Sequence, residues 1–203
     1  MNRLAGWPAV LADGPVTLRP FRMRDASAWS EVRLANEAWL APWEPVLPGS
    51  WAERHSVAGF APLLRALRRQ CRDGTTMPFA VLYSGRFAGQ ITVANIIRGS
   101  FNSAALGYWV DGRLAGRGIC PTAVALVVDH CFTSGRLHRL EANVRPENLP
   151  SRRVVEKLGF RVEGQHERFL LIDGAYRDHT GFAITAEEVP EGLLRRWESV
   201  RNR

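Results

Sequence analysis

Apolar and polar positions alternate in short stretches separated by turn residues, and the first clear one, Val16-Thr17-Leu18-Arg19-Pro20, has the period of two of a strand. The segment after it carries Ala28, Trp29, Val32 and Leu34 at helical spacing, with Asp25 as the expected N-cap. From Trp39 to Pro48 the prolines 42, 45 and 48 exclude one regular helix, because each removes a donor and fixes φ. A folded loop between two helices is expected there. Leu63, Leu64 and Leu67, beside Arg65, Arg68, Arg69 and Arg72, predict an amphipathic helix with a wet arginine face.

Residues 79–83 and 87–97 predict a hairpin turning at Ser84-Gly85, and 104–111 a third strand with Leu106, Tyr108 and Val110 on one face. Val124, Val127, Val128 and Cys131 mark a helix over 121–132. A strand over 140–144, a helix over 151–158 closed by Gly159, and strands over 160–172 and 175–185 joined at Asp173-Gly174 follow. A short amphipathic helix over 191–200 ends the pattern. The order β-α-α-β-β-β-α-β-α-β-β predicts a mixed sheet with helices on its faces, an α+β layer fold.

The 203 residues, 46% of them hydrophobic, suffice for one sizeable core, so a single domain over 1–203 is expected. No apolar run approaches the roughly 20 residues that span a bilayer, and the N-terminus lacks an apolar signal core, so a cytoplasmic protein without a membrane partner is expected. Cys71, Cys120 and Cys131 are an odd number without C-x-x-C spacing, and the five histidines show no metal spacing. Reduced thiols and no metal site follow. The net charge of +7 would suit an acidic partner, yet all basic residues except Lys157 are arginine, without clustering on one motif. It points to no sequence-specific nucleic-acid binding.

Candidate chemistry sits where the third strand stops. Ala115-Gly116-Arg117-Gly118-Ile119 lies between that strand and an apolar helix, and exposed N–H groups at a helix start cradle an anion, glycine letting it approach the main chain. A diphosphate is the expected anion. The turn is no Walker A loop, since the Lys and Ser/Thr are absent, and no dinucleotide fingerprint. Asn148-Leu149-Pro150-Ser151 opens the next helix, which ends in Lys157-Leu158-Gly159-Phe160.

With these two motifs in order the chain resembles the GCN5-related N-acetyltransferases (GNAT), in which an R/Q-x-x-G-x-G/A turn binds the acetyl-CoA pyrophosphate and an N-x-x-S helix follows the next strand. Pro42-Trp43-Glu44-Pro45, Arg98-Gly99-Ser100-Phe101, Leu106-Gly107-Tyr108 and Leu170-Leu171-Ile172-Asp173-Gly174 followed by Arg177-Asp178-His179 extend the resemblance over nearly the whole chain. They are similar to the RimJ-like branch of ribosomal-protein-alanine N-acetyltransferases. The resemblance implies a mixed central sheet of about seven strands flanked by helices, with a splayed strand pair forming the CoA cleft. It implies acetyl-CoA as cosubstrate and direct acetyl transfer to the N-terminal α-amine (Ala or Ser) of a protein, with a ribosomal protein as the expected partner.

By that resemblance the cofactor is held by Ala115, Gly116, Arg117, Gly118, Ile119 and Cys120. Asn148 orients it, and the N–H of Trp109 or Val110 meets the thioester oxygen. Arg152 and Arg153 either reach CoA phosphates or face solvent. Trp43, Glu44 and Tyr108 are assigned to the acceptor side, Glu44 drawing an ammonium, although both tryptophans of the loop, Trp39 and Trp43, also suit plain packing. Departures from the pattern are Ala115 for Gln/Arg, Cys120 for Gly/Ala, Ala105 where relatives carry a basic Glu, and Val155 where many carry a Tyr. Cys120 is read as packing rather than as a nucleophile. Ser151 remains as proton donor or as a helix-start residue satisfying a backbone N–H. Glu141 either holds a water as base or is a structural strand residue, and His179 is read as a strand residue. An α-amine tolerates a missing base, since roughly a tenth is neutral at pH 7 against under a thousandth for Lys. Two other classes stay open: an acetyltransferase for a small-molecule amine (polyamine, amino sugar or antibiotic), and a non-catalytic CoA-binding ribosome-assembly factor. The sequence does not fix the oligomeric state, monomer or dimer.

Overall fold

Apolar side chains that alternate along single strands line up across neighbouring strands, and in the computed structural model, which describes residues 4–201, this builds one eight-stranded sheet. The strands are β1 (Leu11–Asp13), β2 (Val16–Pro20), β3 (Met77–Tyr83), β4 (Arg86–Ile97), β5 (Ser103–Val110), β6 (Arg139–Val144), β7 (Arg161–Ile172) and β8 (Ala175–Thr185). Their order is β1-β2-β3-β4-β5-β6-β8-β7, and only β5–β6 pairs in parallel. The α+β class and mixed sheet agree with the sequence. The strand beyond the expected seven or so is β1, three residues long and too short to show a period.

The helices are α1 (Ala26–Ala35), α2 (Glu37–Leu40), α3 (Trp51–Arg54), α4 (Val57–Arg72), α5 (Ile119–Phe132), α6 (Leu149–Leu158) and α7 (Leu193–Arg201). Two cores follow from the two faces of the sheet. Leu18, Met77, Phe79, Val81, Ile91, Leu106, Leu140 and Phe182 pack against α5, α6 and α7. Phe21, Ala80, Trp109 and Phe87 pack against α1 and α4 through Trp29, Phe60 and Leu64. No helix among the described residues is long and apolar enough to cross a membrane.

Two local expectations are corrected. Asp25 holds the N-cap position of α1 but is itself in the right-handed helical region and makes no cap bond. Its carboxylate instead takes the Arg19 guanidinium at 2.8 and 2.7 Å and the Arg22 N–H at 2.7 Å, pinning the end of β2 to the helix start. The helix expected from residue 121 begins at Ile119, because Pro121 sits in its first turn, where a missing N–H costs no helical bond. The proline-rich stretch divides as the donors dictate: Trp39 ends in α2, Ala41–Trp43 makes a single tight turn, and the chain then runs irregularly to Ser50, which caps α3.

Candidate active site

The site begins where a ladder ends. Pairing between β5 and β6 covers Ser103–Arg139, Ala104–Leu140 and Ala105–Glu141 and stops, leaving Leu106 to Val110 without a partner strand on that side. The gap belongs to a cleft of about 1510 Å³ bounded by the loop at Trp43, the α5 start, the α6 start and β8.

Strand alternation settles which main-chain groups face the gap. Asp111 N–H donates to the Ala88 carbonyl across β4 at 2.8 Å, and the Trp109 carbonyl lies 2.3 Å from where a Cβ on Gly89 of β4 would stand. Polar groups of residues two apart point the same way, so Trp109 turns its N–H to β4 while Tyr108 and Val110 turn theirs into the gap. Of the two expected thioester donors, Val110 therefore faces the site and Trp109 does not. The Val110 carbonyl accepts from the Trp39 indole at 3.2 Å, leaving its N–H for a ligand.

The turn expected to form the cradle is open to a ligand. Gly116 (φ +81°) and Gly118 (φ +75°) adopt the left-handed conformation, and a Cβ on Gly116 would meet open space. The turn thus presents the N–H groups of Gly116 to Cys120 beside the positive end of the fourteen-residue α5. Ala115, Arg117 and Ile119 line the cleft with it, as do Arg153 and, one turn along α6, Lys157. Arg152 does not: its guanidinium turns to Glu156 and the Pro146 carbonyl, both at 3.4 Å. Cys120 is a packed thiol, since burial pushes its pKa up to about 12 and leaves no thiolate near neutral pH.

At the α6 start, Asn148 caps the helix, its Oδ1 accepting from Ser151 N–H at 3.1 Å. The Ser151 hydroxyl is free of that duty and donates to the Tyr108 hydroxyl at 3.0 Å. Tyr108 in turn donates to the Ser151 carbonyl at 3.1 Å. Tyr108 thus stands on the α5–α6 face of β5, beside the expected cofactor motifs, and lines the same cleft as Trp43 and Glu44. Burial pushes its pKa up, so the hydroxyl stays protonated over the neutral range. Val155 is wholly buried in the core and brings no hydroxyl to the cleft from α6.

The opposite face carries the residues expected on the acceptor side. Trp43 and Glu44 line the cleft as expected, but both Glu44 oxygens are taken by Arg33, at 2.5 and 2.6 Å. Its charge is matched, so Glu44 anchors the loop rather than drawing an ammonium. Arg33, 4% exposed, is clasped between the rings of Trp51 (4.6 Å) and Trp109 (4.9 Å) and touches His55 Nε2 at 2.5 Å. Arg145 holds the Trp43 turn, donating to the Pro42 carbonyl at 2.9 Å with its guanidinium 5.4 Å from the Trp43 ring centre. Val46 N–H donates to the Leu171 carbonyl at 3.0 Å, so the loop straps α2 to the β7–β8 hairpin. Arg33, Arg145 and Trp39 carry no sequence signal of their own, each lying in a stretch where arginine or tryptophan reads as surface or packing. Glu141 does not line the cleft; its carboxylate accepts from Arg139 at 2.8 Å, making it a structural strand residue. Among the described residues no group of three or more His, Cys, Asp or Glu could hold a metal ion.

Residues 16–161 match the family described as acetyltransferase (GNAT) domain. A solved structure, Mycobacterium smegmatis RimJ in complex with CoA-disulfide, is 46% identical with a TM-score of 0.95, covering 97% of this chain and 97% of that one. The ribosomal protein uS5-alanine N-acetyltransferase of Escherichia coli is 30% identical over 172 residues, 83% of this chain and 87% of the relative. The probable N-acetyltransferase YjcK of Bacillus subtilis is 44% identical over 99 residues, and the chain spans only 55% of its length.

Proposed function

Because the chain belongs to the GNAT acetyltransferase family, we propose that it is an N-acetyltransferase passing acetyl directly from acetyl-CoA to the N-terminal α-amine of a protein. A ribosomal protein beginning in Ala or Ser is the acceptor. The observation that carries this reading is the end of β5–β6 pairing at Ala105 and Glu141, which opens a gap directly below two helix starts. A CoA-containing relative at 46% identity over 97% of both chains supports the cosubstrate, and the uS5-alanine relative supports the acceptor.

The residues fit a nucleotide thioester. Gly116 and Gly118 leave the cradle open to a diphosphate, and Arg117, Arg153 and Lys157 add positive charge. Val110 N–H is aimed where charge develops on the thioester oxygen, a fixed donor that needs no reorganisation. Ser151 and Tyr108 supply a proton for the departing thiolate, doing from β5 what Val155 does not do from α6. Trp43 and the Arg33–Glu44 pair wall the side from which the amine approaches.

Incubation with acetyl-CoA and peptides beginning in Ala or Ser, followed by mass mapping, tests the reading. Acetyl on the α-amine is expected; label confined to Lys side chains would overturn it.

A further inference from the structure

One buried titratable side chain facing the cleft has no part in the chemistry above. His179 of β8 is 3% exposed and lines the same cleft as Tyr108 and Ser151. Its Nδ1 lies 3.1 Å from the Arg177 carbonyl, an acceptor only, so Nδ1 carries the hydrogen and Nε2 keeps its lone pair. Among the described residues Nε2 has no hydrogen-bond partner, and the ring that carries it lines the cleft. Register fixes the side of approach. Val144 pairs with Thr180 and Asn143 with Gly181, which places His179 one step beyond, on the face of Asn143 and Trp109 and opposite the face of Tyr108 and Ser151.

We propose that His179 is the general base for the acceptor amine, a role that rests on the acetyltransferase reading. The neutral amine attacks the thioester carbon and a C–N bond forms; the proton then carried by that nitrogen passes to Nε2. The C–S bond breaks, the thiolate takes the Ser151–Tyr108 proton, and the imidazolium returns its proton through solvent to that hydroxyl pair. Acid and base thus flank the gap from its two faces. Adjacent Asp178 is no triad partner, since its carboxylate accepts from Arg168 N–H at 2.7 Å. The groups around the ring are Arg145, His166, Glu147 and the ring of Phe169, 5.3 Å away. Burial first, with Arg145 and His166, holds the imidazole below its usual 6.5 against the Arg177 bond and Glu147, keeping it neutral and able to accept.

His179→Asn keeps a donor for the Arg177 carbonyl and removes Nε2. With an Ala-starting peptide, kcat is expected to fall about 10²-fold, with CoA affinity by calorimetry unchanged and partial rescue by added imidazole. A kcat equal to wild type overturns the proposal. Wild type gives a second readout that needs no variant: kcat falls on the acid side with an apparent pKa below 6.5, and an acid limb with an apparent pKa above 6.5 overturns it. Failure of the acceptor reading shows elsewhere, as label on Lys only, and the variant-to-wild-type ratio on that acceptor still decides His179.

Discussion

The hydroxyls of Tyr108 and Ser151 lie 3.0 Å apart, and Tyr108 passes its own hydrogen to the Ser151 carbonyl at 3.1 Å, tying β5 to the first turn of α6 across the open gap. The pair is one hydrogen-bonded unit, so its members do not act independently.

Tyr108→Phe and Ser151→Ala are each expected to lower kcat by about 10 to 10²-fold, and the double variant to be no worse than the poorer single. Multiplied losses in the double would show two separate roles. Since burial raises the Tyr108 pKa, kcat has no alkaline limb from this hydroxyl below about pH 10.

Gly116 gives a sharper test of the cradle. Its φ of +81° strains any other residue by about 1 kcal/mol, while the space around it is open. Gly116→Ala is therefore expected to fold, with a small drop in melting temperature, but to weaken CoA by about tenfold or more because a methyl group stands where a phosphate oxygen approaches the main chain. Calorimetry with CoA decides it, and an unchanged Kd would remove this turn from the site.

Motifs that act through the main chain were legible in the sequence, because Gly116, Gly118 and Asn148 are residue types the backbone geometry itself demands. The strand pattern was legible for the same reason. What escaped were side chains placed by long-range packing: Arg33 meets Glu44, His55 and Trp109 from three separate segments, and nothing near residue 33 announces it. The face that Tyr108 takes is not legible either, because facing depends on which helices cover each side of β5, a tertiary fact that the period of two leaves undetermined.

Arg33 and Glu44 form a pair with side chains 5% and 27% exposed. Glu44→Ala leaves a buried guanidinium unmatched and is expected to cost about 3 to 5 kcal/mol in urea unfolding, whereas Arg33→Met combined with Glu44→Leu should cost less than Glu44→Ala alone. The single change also releases the strap at Val46, so KM for the peptide should rise more than the Kd for CoA. A loss below about 1 kcal/mol for Glu44→Ala would mean that water reaches Arg33 and the pair does not hold this wall.

His55 makes the same cluster sensitive to acid. Burial, then the neighbouring Arg33 charge, holds its pKa down at about 4 from 6.5, against Glu44 and the Trp51 carbonyl, which favour the charged form. Between these two values the unfolded chain binds the proton and the folded one does not, so stability falls as pH drops through this window. The contribution is intact above pH 6.5 and lost by about pH 4, where both states are protonated; the displacement corresponds to about 3 kcal/mol. Asp25 and Glu163, whose carboxyl pKa values are lowered, are lost only at still lower pH and do not fill the same window. Urea midpoints across this range should fall more steeply for wild type than for His55→Gln, which keeps only the fall due to His179, whose pKa burial also holds down. Parallel slopes for the two proteins would show that His55 gains its proton as readily folded as unfolded, and that the Arg33 cluster is open to water.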